Sequence, residues 1–290
     1  GNHECDARAG PSAPHTTAGA PVDFRAATHP HAALWREAIP HRSSRRSYDR
    51  TPAPADALAA LAALASEARV PHARAVVLPE APQSIFAGIL GSYGGISGAH
   101  SALAFVGDGS HEADAWIGYV GEALVLEATH LGLGTCWVGG LFNGHVAARL
   151  AGLAAGERVY AISPLGQPID HITLKERVLM GGAHAKRRLQ PEIIASEHAG
   201  WPEWARSALP LVQLAPSAMN RQPWRFALDG DGSTLTLGYE GDVGLRVTKR
   251  LDCGIAMAHA ELGMAEAGVT GRWEVLGADA APQVARFIRE

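Results

Sequence analysis

The chain has 290 residues, 47% hydrophobic and 19% charged, which is enough apolar material for one large domain or two small ones. A net charge of -4 leaves no basic footprint for nucleic acid or an anionic membrane surface, and each long apolar run is broken by Glu, His or Gly before it could span a bilayer. Cys5, Cys136 and Cys253 are isolated, without Cys-x-x-Cys spacing, so neither a disulfide framework nor a zinc knuckle is expected and a reducing cytoplasm fits.

Residues 1–28, rich in Ala, Pro, Thr, Gly and His, lack apolar periodicity and read as a mobile arm. His31 to Ile39 is a short helix with Leu34, Trp35 and Ala38 on one side, stopped by Pro40. The turn that follows, His41 to Arg50, carries Arg42, Arg45, Arg46 and Arg50 among Ser43, Ser44 and Ser47. Guanidinium forks and hydroxyls in one turn suit a phosphate monoester, although a solvated basic turn has the same composition. Asp56 to Ala68 is a helix with Leu58, Leu61 and Leu64 as its buried stripe. Gly91 to Gly98 is either a plain turn or a flap over a pocket, and Ser101 to Gly107 reads as a strand.

Trp116 to Leu133 is a long helix with Val120, Ala123, Leu124, Ala128 and Leu131 at three- and four-residue spacing, and it runs through glycines into Trp137-Val138-Gly139-Gly140. His111, Glu112 and Asp114 before it lack a second ligand at helical spacing, so they read as a helix start rather than a metal site. Arg158 to Pro164 is a strand, and the basic run Lys186-Arg187-Arg188 closes the first half. The second half has a helix from Trp201 to Leu211, the loop Ala215 to Phe226, a strand from Thr234 to Tyr239, a long helix from Leu251 to Gly268 striped by Ile255, Ala258, Leu262 and Ala265, and a strand from Gly271 to Leu276. In the loop, Pro216 and Pro223 stiffen the backbone while Ser217, Asn220 and Gln222 offer short donors and acceptors. It is either a surface loop leading to a strand or a shaped polar edge for a flat heteroaromatic ligand.

Pro216-Ser217-Ala218-Met219-Asn220-Arg221-Gln222-Pro223-Trp224 resembles the flavin-contacting loop of the FMN-dependent nitroreductase family. Arg42, Ser44, Arg46 and Tyr48 match that family's opening Arg-x-Ser-x-Arg-x-aromatic pattern, with Ser43 standing where a further arginine is usual. Gly166-Gln167-Pro168 resembles its Gly-x-Pro exit. The resemblance implies an α+β nitroreductase-like fold that binds FMN. Arg42, Ser43, Ser44, Arg46, Lys186 and Arg188 would hold the phosphate, and Pro216, Ser217, Ala218, Asn220 and Gln222 the ring edge or ribityl chain. Trp137, Val138, Gly139 and Gly140 would lie behind the isoalloxazine, with the backbone N–H groups of Gly139 and Gly140 toward N5, the catalytic contribution of the protein.

The two halves share an order of helix, loop, hairpin, long apolar helix and Trp-bearing strand. The first half lacks the Pro-Ser-x-x-Asn-x-Gln-Pro-Trp loop and the second has only that loop. The chain is therefore expected to divide into an arm (1–28), a first nitroreductase-like half (29–190) and a second (191–290), forming an internal pseudo-dimer with one complete site, and to be a monomer. Each half would hold a mixed, mostly antiparallel sheet. The expected function is hydride transfer from NAD(P)H through FMN to an electron-poor acceptor, a nitroaromatic or quinone. The alternative is a flavin-sequestering protein with little turnover, covered by the arm or by Gly91 to Gly98. No metal, nucleic acid or membrane is expected as a partner.

Overall fold

The computed structural model describes residues 24–87, 95–170, 187–195, 200–244 and 247–290. Two four-stranded antiparallel sheets are built from β1 (Ala73–Leu78), β2 (Ser101–Gly107), β3 (Val138–Gly139), β4 (Arg158–Leu165), β5 (Trp224–Leu228), β6 (Thr234–Tyr239), β7 (Gly271–Val275) and β8 (Gln283–Arg289). Their orders, β1-β2-β4-β3 and β5-β6-β8-β7, are the same path repeated. The mixed sheets expected from the sequence are antiparallel in every named pair. β3 and β7, the two strands that carry the glycine pair and Trp273, lie at corresponding edges.

Among the described residues five helices exceed six residues: α1 (Ala32–Ala38), α2 (Ala55–Glu67), α3 (Ala113–His130), α4 (Gly144–Ala151) and α5 (Lys249–Glu266). The expected long helices are present, each beginning and ending two or three residues earlier than expected. The helix expected over Trp201 to Leu211 is instead two single turns, Glu203–Arg206 and Leu209–Val212, because Pro210 supplies no N–H to continue the first. α4 starts at Asn143, whose side chain accepts from Val146 N at 3.2 Å, and stops at Gly152 in the left-handed region.

α3 and α5 form the centre and are buried on almost every face. A Cβ on Gly118 would sit 2.1 Å from Leu251 O, and one on Gly254 would sit 2.0 Å from Ala115 O. These two approaches are one contact made twice, since 118 stands to 254 as 115 stands to 251. A self-complementary patch of this kind is what a two-fold axis requires, and here both copies belong to one chain. Large side chains seal the flanks, among them Trp35, Phe105 and Ile117 on one side and Trp224, Phe226 and Phe287 on the other. Burial of such side chains contributes roughly 1.5–3 kcal/mol each.

Residues 24–28 are not part of an arm. Ala26 N donates to Tyr119 Oη at 2.9 Å, Ala27 N to Glu261 Oε1 at 2.8 Å, and Phe24 N to Arg69 O at 3.0 Å, which ties this stretch to both halves. Residues 1–23 lie outside the described residues, as do 88–94, which include the first half of the glycine-rich segment 91–98.

Candidate functional site

The arginine-bearing stretch after α1 is an extended strap rather than a turn. Ser44 bridges Thr135 in parallel, Ser47 bridges Ser97 and Tyr48 bridges Pro168. Arg45 N donates to Thr135 O at 2.8 Å, and Ser97 N donates to Arg46 O at 2.9 Å. Tyr48, 5% exposed, wedges its ring where side chains on Gly134 and Gly166 would collide with it, at 3.1 and 3.0 Å. This is the physical reason for glycine in the Gly-x-Pro exit: the strap lies directly over it.

Arg42 leaves the strap with its Nε buried and without a hydrogen-bond partner. Of the basic run, Lys186 lies outside the described residues. Arg188 turns outward to Glu240, Nη2 to Oε1 at 2.8 Å, with both groups a third to a half exposed. The cation within electrostatic reach of Arg42 is Arg187, which the sequence did not single out. Arg187 is exposed as a whole residue, yet its Nη1 donates to Ala215 O at 2.5 Å; desolvation there, then the positive charge of Arg42, lowers its pKa. Of the cations expected at the phosphate, Arg188 thus pairs with Glu240, while Arg187 is the neighbour whose charge Arg42 feels. In an alternating basic run the partners fix which side chain faces in, and Ala215 and Glu240 are distant in sequence.

The loop from Ala215 to Trp224 is held in an uncommon conformation. Met219, Asn220 and Gln222 have φ of 51°, 51° and 46°, the left-handed region that non-glycine residues seldom occupy. Several bonds hold it there. Ser217 Oγ accepts from Gln222 N at 2.9 Å, Asn220 N donates to Ser217 O at 3.0 Å, and Ala218 N donates to Asp252 Oδ1 at 3.0 Å. Gln222 is 3% exposed, and both ends of its amide are engaged, Oε1 by Arg188 N at 2.8 Å and Nε2 by Asn220 O at 3.0 Å. Expected as a ligand contact, Gln222 is instead the internal brace that joins the basic run to the loop. Pro216 is buried beneath it, while Ser217, Ala218 and Asn220 remain partly exposed.

Asp252 at the start of α5 ties the loop to that helix. It is 1% exposed, and burial pushes its pKa up to about 6 despite Arg221, whose Nε reaches Oδ2 at 2.5 Å. Arg221 Nη2 also donates to Val247 O at 2.7 Å, and Val247 sits where a Cβ on Gly139 would be, Cγ2 at 2.5 Å. Close approach at Gly139 is thus explained by Val247 of the second half. Gly140 has φ of 73°, a strand exit suited to glycine.

Beneath β3 lies a buried polar network that sequence reasoning missed. Trp137 stacks on Phe105, centroids 4.4 Å apart, and donates Nε1–H to Glu122 Oε2 at 2.8 Å. Glu122 Oε1 meets His259 Nε2 at 2.9 Å, and His259 Nδ1 lies 2.9 Å from Leu211 O. A carbonyl only accepts, so Nδ1 carries a proton, and the Nε2–Glu122 contact requires one further proton, on the imidazole or on the carboxyl. Trp137 is therefore a pillar behind the strand rather than a surface facing outward. Ser43 is exposed and Ser44 half-buried on the strap. Asp114, considered with His111 and Glu112 as a metal start, accepts from Thr248 Oγ1 at 2.7 Å and so links the beginnings of α3 and α5. No group of three potential metal ligands occurs among the described residues.

Residues 35–264 match the family model described as "Putative TM nitroreductase". Among solved structures, a "putative nitroreductase" of Thermotoga maritima is similar over 88% of this chain and 93% of its own, at 21% identity and a TM-score of 0.57. A nitroreductase family protein of Clostridium novyi is 23% identical over 47% of this chain and 86% of its own, TM-score 0.40. No curated protein matches the chain.

Proposed function

Because the chain belongs to the nitroreductase family, we propose that it is an FMN-dependent oxidoreductase moving hydride from NAD(P)H to an electron-poor acceptor such as a nitroaromatic or quinone. The observation that carries this reading is the approach of Arg42 and Arg187, two like charges, with the Arg42 Nε buried and unpartnered. Cations brought together in this way are stabilised by an anion, and a phosphate monoester satisfies them with charge-assisted bonds. The residues fit FMN: a cationic end, a stiff polar loop of the second half, and a glycine strand of the first.

When bound, FMN supplies the hydride and electron chemistry. The protein's own part is to bind, orient and polarise. Arg42 and Arg187 would hold the phosphate, with Ser43, Ser44 and Arg46 on the same strap. Ser217, Ala218 and Asn220 present the loop's polar edge, fixed from below by Gln222, Ser217 and Asp252. The backbone N–H groups of Gly139 and Gly140 would be the donors offered to the flavin ring, and Glu122, through Trp137, holds their strand in place. Binding and chemistry of this kind need no nucleophilic side chain.

The self-complementary helix contact is internal, which supports a monomeric pseudo-dimer with halves dividing near residue 190. Among the described residues no helix is long and apolar enough to cross a membrane, and Cys136 and Cys253 are free thiols, in keeping with a cytoplasmic setting. Titration of the protein with FMN, followed in the visible spectrum, is expected to reach one FMN per chain. The loaded protein is expected to oxidise NAD(P)H with a nitroaromatic or quinone acceptor. Absence of FMN binding would overturn the reading, and negligible turnover in loaded protein would replace it with a flavin-holding role.

A further inference from the structure

A cavity of about 360 Å³ lies between the halves, lined by Arg69, Val70 and Pro71 before β1, Trp273 and Glu274 of β7, and aromatic residues of α3. The loop before β1 and the edge strand β7 are the two-fold counterparts of the loop before β5 and the edge strand β3. The cavity therefore stands where the second site of the pseudo-dimer belongs, with none of the phosphate or loop motifs. We propose that it is a ligand site in its own right, taking a small planar aromatic carboxylate.

The walls are aromatic. Phe24 meets Tyr119 edge-on at 6.0 Å, and Trp116 meets Tyr119 edge-on at 5.7 Å. Such a frame suits a flat ring. The volume is near the lower end of the roughly 300–1,000 Å³ of ligand sites, room for one or two fused rings rather than a dinucleotide. Two polar features select the substituent. Trp273 is 7% exposed, and its buried Nε1–H makes no hydrogen bond of ordinary geometry; its reach to Glu261 is the weakest of that carboxylate's interactions, which leaves a donor that an acceptor on the ligand would engage. At the rim, Arg25 and Arg272 reach Glu290 at 2.8 and 3.3 Å, whereas the Arg69 guanidinium meets no carboxylate among the described residues. A cationic ligand is disfavoured: the Glu261 oxygens already accept from Ala27 N at 2.8 Å and Tyr119 Oη at 2.6 Å, and arginines surround the mouth.

The test is calorimetric titration of the FMN-treated protein with 1-naphthoate, and with 1-naphthylmethylamine and the non-planar decalin-1-carboxylate as controls. Saturable binding of one naphthoate is expected, with both controls weaker by roughly tenfold or more. Arg69→Glu, at an exposed position that leaves the circular dichroism unchanged, is expected to weaken naphthoate by roughly tenfold or more. Trp273→Phe keeps a ring and removes the donor, and should weaken it several-fold, while Arg42→Ala should leave it unchanged. The proposal is overturned if naphthoate does not bind at millimolar concentration, if Arg69→Glu binds it as tightly as the parent, or if Arg42→Ala abolishes binding and so places the probe at the flavin site. Because FMN uptake is read separately from naphthoate binding, failure of one does not imply failure of the other.

Discussion

Each half sets a buried glutamate of its long helix beside the tryptophan of its edge strand, and the two halves differ in what that glutamate does. In the first, Glu122 accepts the Trp137 indole at 2.8 Å and pairs with His259 of the other half, which locks β3 behind the arginine-and-loop site. In the second, Glu261 is occupied by Tyr119 and by the backbone of Ala27, and Trp273 reaches it only weakly, without a hydrogen bond of ordinary geometry. One repeated frame thus supports a closed polar brace on one side and an aromatic cavity on the other. Duplicated backbone geometry does not oblige duplicated chemistry, because side-chain partners across the axis are free to diverge while the glycine contact between the helices is kept.

The sharpest way to break the comparison is at the brace. Glu122→Leu leaves His259 Nε2 and the Trp137 indole without partners inside the core, so urea unfolding should show a loss of about 4 kcal/mol. A loss under about 1 kcal/mol would mean that the network adds nothing to the fold. Gly254→Ala pushes a methyl group onto the Ala115 carbonyl, and the helices must part; about 3 kcal/mol is expected, and Gly118→Ala should match it if the axis is real.

A pH test separates the second half from the first. Burial raises Glu261 from its ordinary 4.5 to about 7, so the folded protein favours the protonated acid. Its contribution is complete below pH 4.5 and is lost as pH rises through about 7, up to about 3 kcal/mol. Asp252, raised from 3.8 to about 6, loses its share over the earlier part of that range. Glu261→Gln should therefore flatten the fall in unfolding free energy between about pH 5 and pH 7, and an unchanged slope would show that Glu261 does not titrate there. The smallest effect distinguishes the two arginine environments. Arg42→Ala should weaken FMN by about 2 kcal/mol, roughly thirtyfold in Kd, whereas Arg188→Ala, breaking an exposed pair with Glu240, should cost under about 1 kcal/mol in stability and little in FMN affinity. Equal losses of FMN affinity would restore Arg188 as an anchor.

Much of the frame was legible because it depends on short-range pattern. The apolar spacing in 116–133 and 251–268 marks α3 and α5, and the repeated order of elements announces two halves. α4 carried a readable signal that went unused, Asn143 before the helix and Gly152 after it. β8 was missed although Val284 and Phe287 are buried, since its short apolar stretch is flanked by arginines and its partners are β6 and β7 rather than a neighbouring hairpin.

By itself, the sequence determined the fold class and the family, since proline, glycine and apolar spacing restrict the backbone locally. Only the tertiary structure decided that Arg187 reaches Ala215 while Arg188 pairs with Glu240, that Gln222 points inward, and that Glu122 reaches His259. A side chain's direction depends on the partner it meets, and those partners lie 28, 34 and 137 residues away along the chain.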